Sequence, residues 1–393
     1  MVSSAKPSAY LRGLVFPVYL PSLFFSIGES GLIPLIPANA ERLGADIPTA
    51  AMVAGLVLIG TLAADIPAAR LVNRVGERKA MIWAGAVAAI SILAAVFATN
   101  LWMMSAGVFV LGGTAAVFGL ARHAFIAEHA PIQVRARALS FLGGMFRLGS
   151  FLGPLIGAAI IELVGLEHVY WMTVVFCGLA ALILLFTKPE KMPATSRNED
   201  HGVWGIAKRE KSKLVTIGVA SMILTMVRTA RFLALPLWAL HIHLPVSTTA
   251  LIIGVAGAVD FALFYNGGQV IDKVGRRLPA IITTIAMGLG VIAIGYTTNE
   301  FGFTVIAITL AVANAVGSGL VLTIGADLAP SDARNEFLAT FRLMTDGGIA
   351  AAAPAISILT ALISLASSLL MIGGVAFIGA WMMWRYLPRF GVK

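Results

Sequence analysis

The sequence predicts an all-α, polytopic membrane protein with twelve transmembrane helices in two pseudo-symmetric six-helix bundles. Three observations support this prediction: the composition, the spacing of apolar runs and an internal repeat. Hydrophobic residues make up 59% of the 393 residues and charged residues only 12%, and the mean hydropathy is +0.92. A water-soluble domain needs a larger polar shell, so the composition excludes a soluble enzyme. Twelve spans need about 240 apolar residues, which is close to what the chain supplies.

Apolar runs of spanning length alternate with short polar breaks along the whole chain. The first six predicted helices lie at 12–37, 48–71, 80–98, 101–124, 138–163 and 168–187. The next six lie at 213–240, 247–270, 278–297, 301–326, 337–364 and 367–387. Between them, 188–212 is polar and basic, and predicts a linker with a surface helix around Trp204. We therefore expect an N-terminal bundle at 1–187 and a C-terminal bundle at 213–393.

The distribution of Lys and Arg predicts the orientation of the chain in the membrane. With the N-terminus inside, 22 of the 28 Lys and Arg residues fall in cytoplasmic segments, and only Arg42 falls outside. Positive residues resist translocation, so both termini and the linker are expected in the cytoplasm. The compact chain with short loops favours a bacterial inner membrane. The net charge of +9 is spread over these loops, which argues against nucleic-acid binding.

The chemistry-bearing motifs of other protein classes are absent from the sequence. The single cysteine, Cys177, excludes a disulfide framework and a Cys-based metal site. His241 and His243 are interpreted as exposed loop residues, so no metal is expected. No Walker loop occurs, which excludes ATP as an energy source within this chain. We expect no cofactor and an ion gradient as the energy source.

An internal repeat relates the two halves at a constant offset of 199 residues. Asn73 to Lys79 follows the second predicted helix, and Asp272 to Arg277 follows the eighth. The same offset pairs Pro37 with Pro236, Glu128 with Asp327, Pro131 with Pro330 and Arg135 with Arg334. Duplicated halves in a membrane protein are typical of a transporter whose site lies between the halves.

The loop Gly268 to Arg277 resembles the signature loop of the major facilitator superfamily, G-x-x-x-D-R/K-x-G-R-R, in sequence and in place. The resemblance implies the major facilitator fold, alternating access and cytoplasmic latches. The expected gating residues are Asn73, Arg74, Arg78, Glu128, Arg135, Asp272, Lys273, Arg276, Asp327 and Arg334. The first half departs from the motif at Ala69 and Asn73, so its latch is expected to be weaker. The alternative is that these are ordinary positive loop residues.

Gly149, Gly153, Pro154 and Gly157 in the fifth helix resemble the G-x-x-x-G-P-x-x-G motif of the drug:proton antiporter branch of that superfamily. The spacing puts the three glycines on one face for close helix contact, and the proline is expected to bend the helix. Generic helix packing is the alternative interpretation. Relatives in that branch carry an arginine early in helix four, whereas here Arg122 lies near the cytoplasmic end.

Ionisable residues within a span cost about 3 kcal/mol or more, so each is expected to face a cavity or a partner. Glu29 is the first candidate for a proton and cation site, because its stretch from Gly13 to Asn39 has no other charge. A carboxyl group there can be neutral when dry and ionised when a cation or water arrives. A structural acid bonded to a neighbouring helix is the alternative.

The repeat offset maps Glu29 onto Arg228, and Arg231 follows on the same helical face. The two arginines either pair structurally, with Glu29 as one partner, or receive an anionic substrate. Arg147 maps onto Asp346, and each has the option of a local partner. Asp260 in helix eight either carries protons or neutralises Arg147.

We therefore predict a secondary active transporter: proton-coupled efflux of amphipathic drug-like molecules by a monomer in the lipid bilayer. The second hypothesis is a proton-coupled transporter of a small anionic or zwitterionic metabolite that uses Arg228 and Arg231. A membrane sensor that kept the fold is a third, and it would require an attached signalling domain.

Overall fold

The structure is a computed structural model that describes residues 7–187, 203–330 and 332–391. These residues form twelve helices that are long and apolar enough to cross a membrane, and they contain no β-strand. The first six are α1 Val15–Arg42, α2 Ile47–Val75, α3 Glu77–Val96, α4 Leu101–His129, α5 Ile132–Val164 and α6 Glu167–Leu185. The second six are α7 Lys211–His241, α8 Val246–Val274, α9 Arg277–Ile294, α10 Glu300–Leu328, α11 Arg334–Leu362 and α12 Leu365–Phe390. The predicted number and order of spans are confirmed.

The two halves repeat each other in backbone detail. α1 contains a π-helical turn at Val15–Tyr19, and α7 contains one at Leu214–Gly218. The two turns are 199 residues apart, which is the offset of the sequence repeat. Pro17 lies in the first turn, where it removes a backbone donor, but the second turn contains no proline. The turn therefore belongs to the duplicated architecture rather than to one proline.

α10 is interrupted where its counterpart α4 is continuous. The helix breaks between Glu300–Val316 and Leu320–Leu328, and Gly319 adopts a left-handed conformation with φ of 78°. Glycine tolerates this conformation because it has no Cβ. Leu120, which is the equivalent residue in α4, lies inside an unbroken helix. Apolar periodicity alone did not indicate this break.

The helices of each half pack in the same pattern. In the first half, α1 packs against α5 and α6, and α3 packs against α4 and α6. In the second half, α7 packs against α11 and α12, and α9 packs against α10 and α12. Because the second set of contacts is the first set moved by six helices, the duplication read from sequence extends to packing.

The fifth-helix glycines form a close contact with α1 in the first half. A Cβ added to Gly153 would lie 2.5 Å from the carbonyl oxygen of Ile27 and 2.6 Å from the nitrogen of Gly31. Gly149 approaches Ser26 of α1 in the same way. In the second half, Gly348 packs against the backbone of Met222 in α7. The motif therefore brings α5 against the backbone of α1, as its spacing predicts.

The chain folds into two compact units whose boundaries cross α2 and α8. The first unit contains Met1–Ala45, Leu56–Thr195 and Val246–Gly257, and the second contains Asp46–Gly55, Ser196–Pro245 and Ala258–Lys393. In the first unit, Gly254 of α8 lies against Leu155 of α5. In the second, Gly55 of α2 lies against Ala353 of α11. Gly55 and Gly254 are one repeat apart, so in both units the same position lets the second helix of a half approach a neighbouring helix closely.

The end of the linker is docked on the second unit. The helix expected near Trp204 is present as Val203–Arg209, whereas the Trp204 side chain and residues 188–202 lie outside the described residues. Ile206 is buried in an apolar cluster that includes Phe337. Arg209 donates to both carboxylate oxygens of Asp332, at 2.6 and 3.0 Å. This hydrogen-bonded pair lowers the pKa of the Asp332 carboxyl.

We expect Gly153→Ala to lower the stability of the protein by about 1–3 kcal/mol, because its methyl group would meet backbone atoms of α1 that cannot move independently. Gly143→Ala is the matched control on the same helix, since no atom lies within 4 Å of its added Cβ. Thermal unfolding in detergent compares the two. Equal midpoints for both variants would contradict the close α1–α5 contact.

Asp332→Asn is expected to release the linker helix and to speed tryptic cleavage around Lys208 at neutral pH. Because the paired Asp332 has a lowered pKa, its contribution in the wild type is present above about pH 4 and is lost as the pH falls further. Glu167→Gln is the control, since it removes another exposed pair, with Arg42 at 3.3 Å. Unchanged linker cleavage in Asp332→Asn would show that the pair does not hold this helix.

Candidate functional site

Glu29 lies in the middle of α1. The residues before and after it in the sequence pack closely against neighbouring helices. A Cβ on Gly28 would lie 3.2 Å from Cys177 Sγ of α6, and Gly31 approaches Gly153 of α5. Ser30 donates a hydrogen bond to the Gly149 carbonyl at 2.9 Å. These contacts fix the rotation of α1, so the partly buried Glu29 side chain has a defined position in the first unit.

Arg122 of α4 acts on Glu29 through its charge, without an ion pair or hydrogen bond between the two described side chains. The two groups interact electrostatically within the first unit, although they lie far apart in the chain. The Arg122 side chain is buried, with 8% of its surface exposed, and its guanidinium lies 5.2 Å from the centre of the Phe146 ring. Its Nε forms no hydrogen bond with the described residues. A buried cation of this kind needs an opposite charge or polar groups nearby, and the charge of Glu29 and the Phe146 ring are the compensating groups seen here.

From the sequence, Arg122 was expected near a helix end, and it was not among the candidate site residues. The structure shows that α4 continues to His129, so Arg122 lies about two turns inside the helix. The signal that could have identified it is the presence of one acid and one base in helices α1 and α4 of the same half. Cys177 also lies in the electrostatic environment of Glu29 and is fully buried.

The two arginines of α7 are bound to the backbone of α10. Arg228 donates through Nη2 to the Gly317 carbonyl at 2.6 Å, at the point where α10 breaks. Arg231 donates through Nη1 to the Leu310 carbonyl at 3.2 Å and lies 4.4 Å from the centre of the Phe232 ring. Arg231 is buried, whereas Arg228 is partly exposed. Broken helix backbone needs donors in a membrane, and Arg228 supplies one.

The remaining charges within the spans have partners close in the structure. Asn314 of α10 donates to Asp260 Oδ1 at 3.0 Å. Asn314 was not among the candidate site residues expected from the sequence. Arg342 pairs with Asp346 on the next turn of α11, with Nε and Oδ2 3.3 Å apart. Arg147 is partly buried in α5. Asp346 is therefore held by a local partner, one of the two options that the sequence left open.

The expected gating residues occupy different environments in the two halves. Arg276 and Asp327 form an ion pair at 2.9 Å in the second half. In the first half, Glu128 lies in the electrostatic environment of Glu77, which was not among the residues expected from the sequence.

The other residues of the predicted latches are held by backbone or lie at the surface. Arg78 donates to the carbonyls of Leu184 and Leu185 at the end of α6, at 2.9 and 3.0 Å. Arg135 donates to the Ala130 carbonyl at 3.3 Å. Six predicted gating residues are exposed: Asn73, Arg74, Glu128, Lys273, Asp327 and Arg334. The side chain of Asp272 lies outside the described residues.

The chain is similar in sequence to a known family and, at low identity, to individual proteins. The model of the Major Facilitator Superfamily matches residues 18–333. The multidrug resistance protein MdtG of Proteus mirabilis is 24% identical over 288 residues, which are 70% of this chain and 71% of that protein. The putative metabolite transport protein YncC of Bacillus subtilis is 26% identical over 189 residues, 48% of this chain and 38% of that protein. MdtG of Salmonella typhimurium is 23% identical over 175 residues, and this match covers 42% of its length.

Solved structures share the fold at low sequence identity. An occupied bacterial homologue of the human lysosomal transporter Spinster has a TM-score of 0.78 and 13% identity, and the match covers 97% of each chain. A D-xylose–proton symporter has a TM-score of 0.75 and 16% identity, with 98% of this chain and 99% of that chain covered. Together with twelve spans in two repeated halves, the family match shows that this multi-pass membrane protein belongs to the Major Facilitator Superfamily of transporters.

Proposed function

We propose that the protein is a proton-coupled efflux transporter of amphipathic, drug-like cations. The observation that carries the proposal is Glu29 in the middle of α1, together with the buried Arg122 of α4, whose charge acts on it in the same unit. An acid and a base retained within apolar helices cost free energy, and such groups commonly serve transport. The resemblance of Gly149 to Gly157 to the antiporter motif and the multidrug resistance relatives support the same substrate class.

Glu29, with the charge of Arg122 near it, would let a proton and a cation compete for one carboxylate. When Glu29 is ionised, Arg122 is its counter-charge, and a lipophilic cation can compete for the same carboxylate. When Glu29 takes up a proton, that carboxylate is lost and the nearby Arg122 charge disfavours a second cation. Proton and cation therefore exclude each other at one group. Rocking of the two halves would then offer this group to one side of the membrane at a time.

We further propose the cellular arrangement that the sequence predicts. The excess of Lys and Arg in the segments on one side supports a cytoplasmic location for both termini and for the linker. The protein would work as a monomer in a bacterial inner membrane, with the proton gradient as its energy source and no cofactor.

Glu29→Gln is expected to abolish cation-evoked proton flux, down to the level of protein-free liposomes, because the amide cannot bind and release a proton. The measurement uses proteoliposomes with an enclosed pH-sensitive dye and an added lipophilic cation. Glu300→Gln is the control, since Glu300 is an exposed carboxyl at the start of α10. Retained proton-coupled flux in Glu29→Gln would refute the proposal.

The second candidate function is transport of a small anionic metabolite through Arg228 and Arg231. The partial exposure of Arg228 and the relative named as a putative metabolite transport protein favour it. The donors that both arginines give to α10 carbonyls oppose it, because those donors are already in use. Flux evoked by organic anions in the same liposomes, and lost in Arg228→Met, would support this function instead.

Gly317→Ala tests whether Arg228 supports α10. The added methyl group would collide with Arg228 Nη2 and would lie 2.5 Å from Thr283 Cγ2, so we expect a stability loss of about 1–3 kcal/mol. Gly374→Ala is the control in the same unit, since its Cβ would meet no atom within 4 Å. Unchanged thermal unfolding in Gly317→Ala would show that Arg228 moves freely, as an anion-binding residue must.

A further inference from the structure

An arginine at the start of the third helix of each half is bound to the end of the sixth helix. Arg78 of α3 donates through Nη2 to the Leu185 carbonyl at 3.0 Å. Arg277, one repeat later and the first residue of α9, donates through Nη2 to the Trp384 carbonyl of α12 at 3.2 Å. Leu185 and Trp384 are also one repeat apart. The two arginines therefore make the same contact, one in each unit.

The first half binds a second nitrogen of its arginine. α6 ends at Leu185, and the last turn of a helix leaves its carbonyl groups without partners inside the helix. The Leu184 carbonyl accepts a hydrogen bond from Arg78 Nε at 2.9 Å, and the Thr187 hydroxyl oxygen accepts from the same Nε at 3.1 Å. Arg78 therefore caps the end of α6 through both Nε and Nη2.

The second half does not offer the same acceptor to Arg277. The counterpart of Leu184 is Met383, and its carbonyl accepts the backbone N–H of Leu387, because α12 continues beyond it. Arg277 Nε is buried and forms no hydrogen bond with the described residues. The guanidinium group also forms no ion pair with them. It is therefore held through Nη2 alone, whereas Arg78 is held through two nitrogens.

Two further arginines lie at the same end of α12. Arg389 lies 5.1 Å from the centre of the Tyr386 ring, and Arg385 directly precedes this tyrosine. Both arginines are exposed, and neither forms an ion pair with the described residues. Their counterparts in the first half are Phe186 and Glu190. The second half therefore has two cations where the sequence of the first half has an aromatic residue and an acid.

Exposed aromatic side chains accompany these arginines. Trp381 and Trp384 have 55% and 53% of their surface exposed. The Trp381 ring meets the Tyr386 ring edge to face, with 6.2 Å between the ring centres. Tryptophan and tyrosine at the ends of spanning helices lie at the level of the lipid headgroups. The three arginines are therefore expected at the depth of the lipid phosphate groups.

We propose that the ends of α9 and α12 form a binding site for the headgroup of an anionic phospholipid. The phosphate oxygens accept hydrogen bonds from the remaining donors of Arg277 and from Arg385 and Arg389. The acyl chains lie along Trp381 and Trp384. The planar donors of guanidinium groups match phosphate oxygens, so the three side chains suit this ligand.

Charge selects the anionic lipid over a zwitterionic one. A phosphatidylcholine headgroup carries its own cation, which the three arginines repel, whereas a phosphatidylglycerol headgroup brings only negative charge. The bound phosphate would link α9 to α12, in place of the hydrogen bonds that Arg78 Nε makes in the first half. In the orientation proposed above, the lipid belongs to the cytoplasmic leaflet. The site is independent of the transported substrate and of Glu29.

Native mass spectrometry of the purified full-length protein measures this preference directly. Phosphatidylglycerol and phosphatidylcholine with identical acyl chains are added in equal amounts, and we expect the wild type to retain phosphatidylglycerol. The double variant Arg385→Gln/Arg389→Gln should lose this preference by about tenfold or more. The matched control is Arg70→Gln/Lys79→Gln, which removes two exposed cations at the corresponding end of the first half and should keep the preference.

Thermal unfolding in detergent is the second measurement. Phosphatidylglycerol should raise the unfolding midpoint of the wild type more than that of Arg385→Gln/Arg389→Gln, because a ligand stabilises only the protein that binds it. Equal midpoints of the two proteins without lipid show that the variant is folded.

Equal retention of the two lipids by the wild type, or equal retention of phosphatidylglycerol by the wild type and the double variant, would overturn the site. A rise in midpoint with soluble glycerol phosphate as large as that with the lipid would also overturn it, in favour of a soluble phosphate ligand. Because no transport is measured, the lipid site can fail while the efflux proposal stands, and the reverse also holds.

Discussion

Charge compensation inside apolar helices is the constraint on which the rest of this structure depends. A charged group in such surroundings is costly unless another charge or a set of polar groups compensates it. In the first unit the compensating group is a second side chain, since the charge of Arg122 in α4 acts on Glu29 of α1. In the second unit it is backbone, since Arg228 donates to the Gly317 carbonyl.

The two solutions explain why duplicated halves are unequal. Glu29 and Arg228 are one repeat apart and opposite in sign, so the helix that faces each of them had to differ. α4 offers a guanidinium from an unbroken helix, whereas α10 breaks at Gly317 to Gly319 and exposes a carbonyl group. The carbonyl group at the break therefore accepts a hydrogen bond from Arg228, while in the first half a guanidinium group acts on Glu29. The Arg228 charge in α7 and the irregular backbone in α10 are linked by one hydrogen bond.

Close packing by glycine keeps these groups in register. Gly149 and Gly153 bring α5 onto the backbone of α1, and Gly348 brings α11 onto α7. Helices that touch through backbone have little freedom to rotate, because no flexible side chain lies between them. The position of Glu29 is therefore fixed by contacts that its neighbours in sequence make.

The sequence by itself determined the twelve spans, their order and the duplication. Hydropathy and spacing are local properties, and every predicted span is a helix in the structure. It also identified Glu29, Arg228, Arg231 and Asp260 as charges that need partners, because any charge in an apolar run does.

Only the tertiary structure decided which partners those charges have. Pairing depends on the rotation of each helix about its axis and on contacts between residues far apart in the chain. For this reason the sequence missed Arg122 as the charge that acts on Glu29 and Asn314 as the donor to Asp260. The α10 break was also invisible, because the broken helix keeps the same apolar composition as an intact one.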